Sequence, residues 1–87
     1  MNLKKSSLSS TDLQKKLYKI QKKSNSKLLE VLEELKIDYC VLSMEDYDYF
    51  RVRVNLSCER KDYGYSDIYF SNYEKCYIVR NYFMREV

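Results

Sequence analysis

The stretch TDLQKKLYKIQKKSNSKLLEVLEELK, residues 11–36, holds the longest continuous periodic pattern in the chain and decides the fold that we predict. At about 100° per residue, one set of side chains falls on a narrow arc of a helix, and charged side chains occupy the opposite arc. The narrow arc consists of Leu13, Leu17, Ile20, Ser24, Leu28, Val31 and Leu35. The pattern therefore predicts one long amphipathic helix from Thr11 to Lys36.

The middle of this stretch leaves an alternative open. Ser24-Asn25-Ser26 is a run of poor helix formers, and it could divide the stretch into two helices. The apolar positions keep the same phase on both sides of the run, whereas a turn normally resets the phase. We therefore favour one helix, with an N-cap at one of residues 9–11 and Asp12 in the first turn.

The apolar period changes to two after Lys36, which is typical of strands. Apolar and polar residues alternate from Ile37 to Leu42 and again from Phe50 to Leu56. If Glu45 and Asp46 form the tip of a two-residue hairpin, the register is defined. The predicted facing pairs are Val41 with Phe50, Tyr39 with Val52, Ile37 with Val54 and, on the other face, Asp38 with Arg53. The last pair has opposite charges, which supports this register.

Two more strands complete the predicted sheet. Tyr65–Ser71 and Cys76–Phe83 are rich in aromatic and branched residues and are separated by the polar bend 72–75. The facing of the last strand is ambiguous, because both of its alternate sets are apolar. The fold class that follows is α+β, with one long N-terminal helix packed on one face of a four-stranded antiparallel meander. Residues 11–87 form this single domain, and residues 1–10 are predicted to be a flexible basic arm.

The predicted arrangement leaves surface uncovered. A helix of this length spans roughly 39 Å, whereas an eight-residue strand spans roughly 27 Å, so the helix extends beyond the sheet. One helix can cover only one face of a sheet. The open face is predicted to carry Tyr and Arg, the residue types enriched at the centres of protein interfaces. The partner-binding candidates are Tyr49, Arg51, Arg53, Tyr65, Tyr69 and Tyr77. The alternative is that these are ordinary half-exposed strand residues.

Charge is divided along the chain. Residues 1–27 contain eight Lys and one Asp, a net +7, whereas residues 28–87 have a net charge of −4. The lysines of the predicted helix, Lys15, Lys16, Lys19, Lys22 and Lys23, could contact an acidic partner or a phosphate backbone. That half contains no Arg, so we expect at most weak, non-specific binding to nucleic acid. The alternative is a solvated helix face, which is the usual role of such a run.

The three cysteines indicate a reducing compartment. Cys40, Cys58 and Cys76 are odd in number, and no two have the short spacing of a zinc site or a redox pair. We expect three free thiols without bound metal. No run approaches the 18 or so apolar residues of a membrane helix, and the N-terminal residues lack the apolar centre of a signal peptide. The expected location is the cytoplasm.

The composition argues against catalysis. The chain has no His to activate a nucleophile and only one Gly, too few for the usual phosphate-binding loops. Glu45, Asp46 and Asp48 cluster at the predicted hairpin tip, but they lack the spacing and the turn Gly of a calcium loop. We therefore predict that the protein is not an enzyme and has no cofactor.

These observations predict a small non-catalytic protein-binding module of the inhibitor or adaptor type, a type that phages and mobile elements often encode. It would dock on a protein through the Tyr/Arg sheet face and the charged helix, and a homodimer is also open. The alternative is a nucleic-acid-binding protein that uses the lysines of the helix. Acidic residues lie between the sheet tyrosines in sequence, and they would repel a phosphate backbone, which favours the protein partner.

Overall fold

Two helices are followed by four strands in the computed structural model, which describes residues 3–44, 47–58, 60 and 62–84. The elements are α1 (Ser10–Leu17), α2 (Asn25–Glu34), β1 (Tyr39–Met44), β2 (Tyr47–Val54), β3 (Tyr63–Ser71) and β4 (Cys76–Phe83). The strands form one sheet in the order β1-β2-β3-β4, and every neighbouring pair is antiparallel. The predicted α+β class and the antiparallel four-stranded sheet are confirmed. Residues 43, 44 and 47–49 are described by their backbone alone.

The prediction of one long helix is wrong, because the chain leaves the helical conformation between Leu17 and Asn25. Ser24 has an extended backbone (φ −147°, ψ 99°) and caps α2, its hydroxyl accepting the N–H of Lys27 at 3.4 Å. The hydroxyl of Tyr77 accepts the N–H of Ser24 at 3.0 Å and donates to Asn25 Oδ1 at 2.8 Å. A serine cap and a tyrosine from the sheet therefore fix the start of the second helix.

The constant phase of the apolar residues favours one helix, but the turn between the helices also contributes a residue to the core. Ile20 lies in the segment between the helices and is only 3 % exposed, in contact with the same cluster as Leu17 and Leu28. The turn therefore continues the apolar arc without being helical. The longer helix has ten residues and spans roughly 15 Å, so the predicted extension of a helix beyond the sheet is also wrong.

The predicted hairpin register is wrong by two residues over most of β1. Met44 pairs with Tyr47, as a two-residue hairpin requires, but the next pair is Ser43 with Phe50. The extra residues on β2 shift the register, which is the effect of a bulge. Val41 therefore faces Val52, and the predicted pairs of β1 do not form. The predicted tip residues 45 and 46 lie outside the described residues.

The predicted charge pair across this hairpin does not form either. Arg53 lies opposite Cys40, and its carboxylate partner is Asp67 of β3. Asp38 precedes β1, and its carboxylate accepts the N–H of Lys4 at 3.0 Å. Asp38 and Arg53 do carry opposite charges, but the register shift at the bulge places them apart.

The core lies between the helices and one face of the sheet. Alternate residues of the strands, including Val52, Val54 and Ile68, are fully buried there. The helices contribute Leu13, Leu17, Leu28 and Leu32. The facing of β4 is settled by the same cluster, because Tyr77 and Val79 pack in it. Ile78, Arg80 and Tyr82 therefore lie on the other face of the sheet.

The N-terminal segment lies against the sheet over its described part. The N–H of Ser6 donates to the carbonyl of Asn55, and the N–H of Ser57 donates to the carbonyl of Leu8, both at 2.9 Å. Residues 9 and 57 form a parallel bridge. We predicted residues 1–10 as a flexible arm, and these bonds attach residues 6–9 to the segment that follows β2. Within the described residues, neither helix has the length and apolar character needed to span a membrane.

Candidate protein-binding face

The candidate site is the face of the sheet that points away from the helices, which we call the open face. Strand alternation and the observed registers place one residue in two from each strand on it. Its members are Cys40, Leu42, Arg51, Arg53, Asn55, Tyr65, Asp67, Tyr69, Ile78, Arg80 and Tyr82. All but Asp67 retain solvent exposure, and the residues of α1 and α2 that join the core do so on the opposite side.

A buried carboxylate lies at the centre of the open face. Asp67 is 1 % exposed and accepts two hydrogen bonds from Arg53, from Nε at 2.9 Å and from Nη2 at 3.3 Å. Arg51 Nη1 lies 3.5 Å from the same carboxylate. The hydrogen bond with Asp67 raises the pKa of Arg53 above its already high ordinary value. Two guanidinium groups thus compensate one buried negative charge and are held in fixed positions by it.

Aromatic rings extend this cluster toward β4. The guanidinium of Arg53 lies 3.9 Å from the centre of the Tyr65 ring, a cation–π contact. Tyr65 stacks on Tyr82, with ring centres 5.1 Å apart and planes at 24°. Arg80 lies 5.6 Å from the centre of the Tyr82 ring. A continuous row of contacts therefore runs from Asp67 through Arg53, Tyr65 and Tyr82 to Arg80, and each side chain in it is supported by its neighbour.

The open face is positively charged, although the second half of the chain is acidic. Its described members include three Arg and one Asp, a formal charge of +2. Two other described acidic groups have partners of their own: Asp62, which lines a pocket with Arg80 and Tyr82, pairs with Arg60 at 2.7 Å, and Glu33 accepts the hydroxyl of Tyr39 at 2.9 Å. These contacts lower the pKa of Asp62 and raise the pKa of Tyr39. Among the acidic residues that the structure describes near these tyrosines in sequence, Asp67 is the one at a strand position of the open face.

Most of the partner-binding candidates meet on the open face. Arg51, Arg53, Tyr65 and Tyr69 are together there, as predicted. Tyr77 is not, because it faces the helices and is fully buried, and its burial raises the pKa of its phenol. The backbone of Tyr49 is part of β2, but its side chain is not among those that the structure describes.

Sequence reasoning missed Ile78, Arg80 and Tyr82. Either set of alternate residues in β4 could have been buried, so the alternation alone did not show which set faces the helices. In the structure Tyr77 and Val79 pack in the core, and the hydroxyl of Tyr77 contacts the α2 cap; contacts between such distant residues have no local signal in the sequence.

The lysine candidates lie on the helix side of the molecule. Lys15 and Lys16 belong to the exposed surface of α1, and Lys19, Lys22 and Lys23 are exposed in the segment between the helices. They are therefore separated from the open face by the core and the sheet. A partner that contacts both groups must therefore extend around the domain.

One of the concave regions of the described open face lies near the N-terminal segment. A shallow pocket of about 260 Å³ is lined by Leu3, Cys40, Leu42, Arg53, Asn55, Gly64 and Tyr65. The side-chain amide of Asn55 donates to the carbonyl of Leu3 at 3.2 Å and holds this end of the segment beside the pocket. The face therefore offers a mixed polar and apolar depression beside the arginine and tyrosine row.

The chemistry of the described side chains is limited. Cys40, Cys58 and Cys76 are free thiols, and burial raises the pKa of Cys76. Among residues 3–44, 47–58, 60 and 62–84, no three His, Cys, Asp or Glu side chains are grouped so that they could hold a metal ion.

The comparisons with known proteins give no family. The chain matches no protein-family model, no curated protein and no solved structure. The functional argument therefore rests on the geometry of the open face.

Proposed function

We propose that this protein is a non-catalytic protein-binding module of the inhibitor or adaptor type that docks through its open face. The observation that carries the proposal is the row of Arg53, Tyr65, Tyr82 and Arg80, ordered around the buried Asp67. Arg and Tyr contribute most to binding when they are ordered beforehand, because less side-chain entropy is lost on association. The formal charge of +2 favours a partner whose contact surface is acidic.

The state of the arginines favours a protein over a nucleic acid on this face. Arg53 is already bound to Asp67 and stacked on Tyr65, and Arg51 contacts the same carboxylate. Their positive charge is thus partly compensated, which weakens the release of counterions on which binding to phosphate backbones depends. Tyr65 and Tyr82 also cover one face of each other's ring, and this reduces the area on which bases could stack.

The proposed location is the reducing cytoplasm, and the three free thiols support it. No cofactor is invoked, because docking requires none.

The test is affinity capture of the tagged protein from cells of the organism that encodes it, compared among three forms. The first is the wild-type chain, and the second is Tyr69→Ala with Arg80→Ala, which changes the open face without removing a partner of Asp67. The third, a matched control, is Lys16→Ala with Lys23→Ala, which removes two exposed charges from the helix side. We expect the wild type and the control to retain the same protein and the open-face variant to lose it.

Nuclease treatment and thermal unfolding complete the design. Capture should survive nuclease, and the melting temperature of the open-face variant should stay close to that of the wild type, because surface changes have small effects on stability. Loss of the partner in the lysine variant alone, or on nuclease treatment, would contradict the proposal. That result would favour the second candidate, a nucleic-acid contact through the exposed lysines of the helix side.

A further inference from the structure

The two outer strands of the sheet, β4 and β1, differ in whether another part of the chain covers their outer edge. At the β4 edge, Gln14 of α1 binds the backbone as a neighbouring strand would. Its Oε1 accepts the N–H of Val79 and its Nε2 donates to the carbonyl of Tyr77, both at 2.7 Å. Asn81 of the same strand donates from Nδ2 to Ser10 Oγ at 2.9 Å. The β4 edge is therefore covered by a helix and partly satisfied, a common protection against association between strand edges.

The β1 edge has no such protection in the described part of the chain. β1 is the other outer strand, and the described hydrogen bonds to its backbone come from β2 and from one long thiol contact of Cys40. Its sequence, YCVLSM, contains no charge, no Pro and no Gly. Val41 points to the helix side and is still 42 % exposed. Within the described residues β1 is thus a neutral, apolar outer strand with no neighbouring strand on its outer side, and such a strand is suited to receive another strand.

We propose that the β1 edge pairs with the β1 edge of a second copy of this chain. Antiparallel pairing places a two-fold axis perpendicular to the combined sheet, so both pairs of helices lie on the same side. Residues that face the helices then oppose residues that face the helices. With Val41 on the axis, Val41 lies opposite Val41 of the second copy, and Cys40 lies opposite Leu42. Every opposing pair of these residues is uncharged, so the pairing of two identical strands brings no like charges together.

The pairing itself does not depend on the proposed function, but its consequence for binding rests on that function. The sheets of the two copies become one eight-stranded sheet with both open faces on the same side. Two arginine and tyrosine rows are then available to a single partner, and avidity can increase the affinity without new kinds of contact. The contact between six-residue strands is small compared with stable interfaces, so we expect a dissociation constant in the micromolar range.

The experiment is a disulfide trap at the proposed axis. Opposite residues of an antiparallel pair have Cα atoms about 4.5–5.5 Å apart, within the range of a disulfide. In a Cys40→Ser background, Val41→Cys should form a covalent dimer rapidly under mild oxidation. The matched control is Tyr73→Cys in the same background, since Tyr73 is 94 % exposed in the bend between β3 and β4. Equal rates for the two variants would overturn the proposal, because they would indicate random collision.

Sedimentation equilibrium of the untrapped proteins gives a second readout. The wild type should change from monomer to dimer between micromolar and millimolar concentration, and Val41→Lys should raise the dissociation constant at least about tenfold. An equal mixture of Val41→Lys and Val41→Glu should restore the dimer, which also rules out misfolding as the reason for its loss. A wild type that stays monomeric over this range, or a dimer that Val41→Lys leaves unchanged, would overturn the proposal.

Discussion

Replacing Asp67 by Ala tests whether the buried carboxylate organises the open face. The side chain is 1 % exposed and makes three close contacts with guanidinium nitrogens, at 2.9, 3.3 and 3.5 Å. Hydrogen bonds to charged groups contribute about 1.5–3 kcal/mol each when buried. The side chains of Arg51 and Arg53 are 31 % and 35 % exposed, so water can partly replace the carboxylate and the total is much smaller than the sum.

We expect Asp67→Ala to lower the free energy of unfolding by about 2 kcal/mol. For a domain of this size, that loss lowers the melting temperature by about 8–16 °C. The assay is thermal unfolding followed by circular dichroism, with urea unfolding as a check. The matched control is Asp62→Ala, because Asp62 also binds one arginine through two hydrogen bonds but lies at an exposed position. Equal, small losses for the two variants would refute the idea that Asp67 organises the face.

Three further outcomes follow from contacts within the domain. Gln14→Ala should lower the unfolding free energy by about 1–3 kcal/mol in urea and increase light scattering, because it exposes the β4 edge; no change in either would contradict its role. Burial raises the pKa of Tyr77, so its neutral form stabilises the fold below about pH 10 and this contribution is lost as the pH rises through the folded-state pKa. In urea unfolding at alkaline pH, the free energy of unfolding of Tyr77→Phe should therefore fall less steeply with pH than that of the wild type. Equal slopes for the two proteins would contradict this. Cys76, buried with a raised pKa, should react with a thiol reagent more slowly than the other two cysteines in the folded protein, and three equal rates would count against its burial.

The parts of the fold that depend on local pattern could be predicted from the sequence. The alternation in β2 and β3 placed Arg51, Arg53, Tyr65 and Tyr69 on one face, and the observed registers place them there. The bounds of β4 were also predicted correctly. These elements are specified by alternation between a buried and an exposed face, which a change in register by two residues leaves intact.

The errors arose where contacts between distant residues decide the structure. The division of the helix depends on the cap at Ser24 and on the hydroxyl of Tyr77, 53 residues away. The partner of Arg53 depends on a register shift near Ser43, which moved Asp38 away and left Asp67 as the carboxylate. A charge pair that agrees with a register is therefore weak support when another acid lies on the next strand.

The most direct test of the docking face is site-specific photo-crosslinking in living cells of the encoding organism. A photoreactive phenylalanine analogue is placed at Ile78, on the open face between the tyrosine and arginine side chains, and in a second variant at Lys23 on the helix side. Illumination should yield one predominant covalent adduct with a protein from position 78 and a much weaker adduct from position 23. Adducts from position 23 alone, or adducts with nucleic acid from either position, would contradict docking of a protein through the open face.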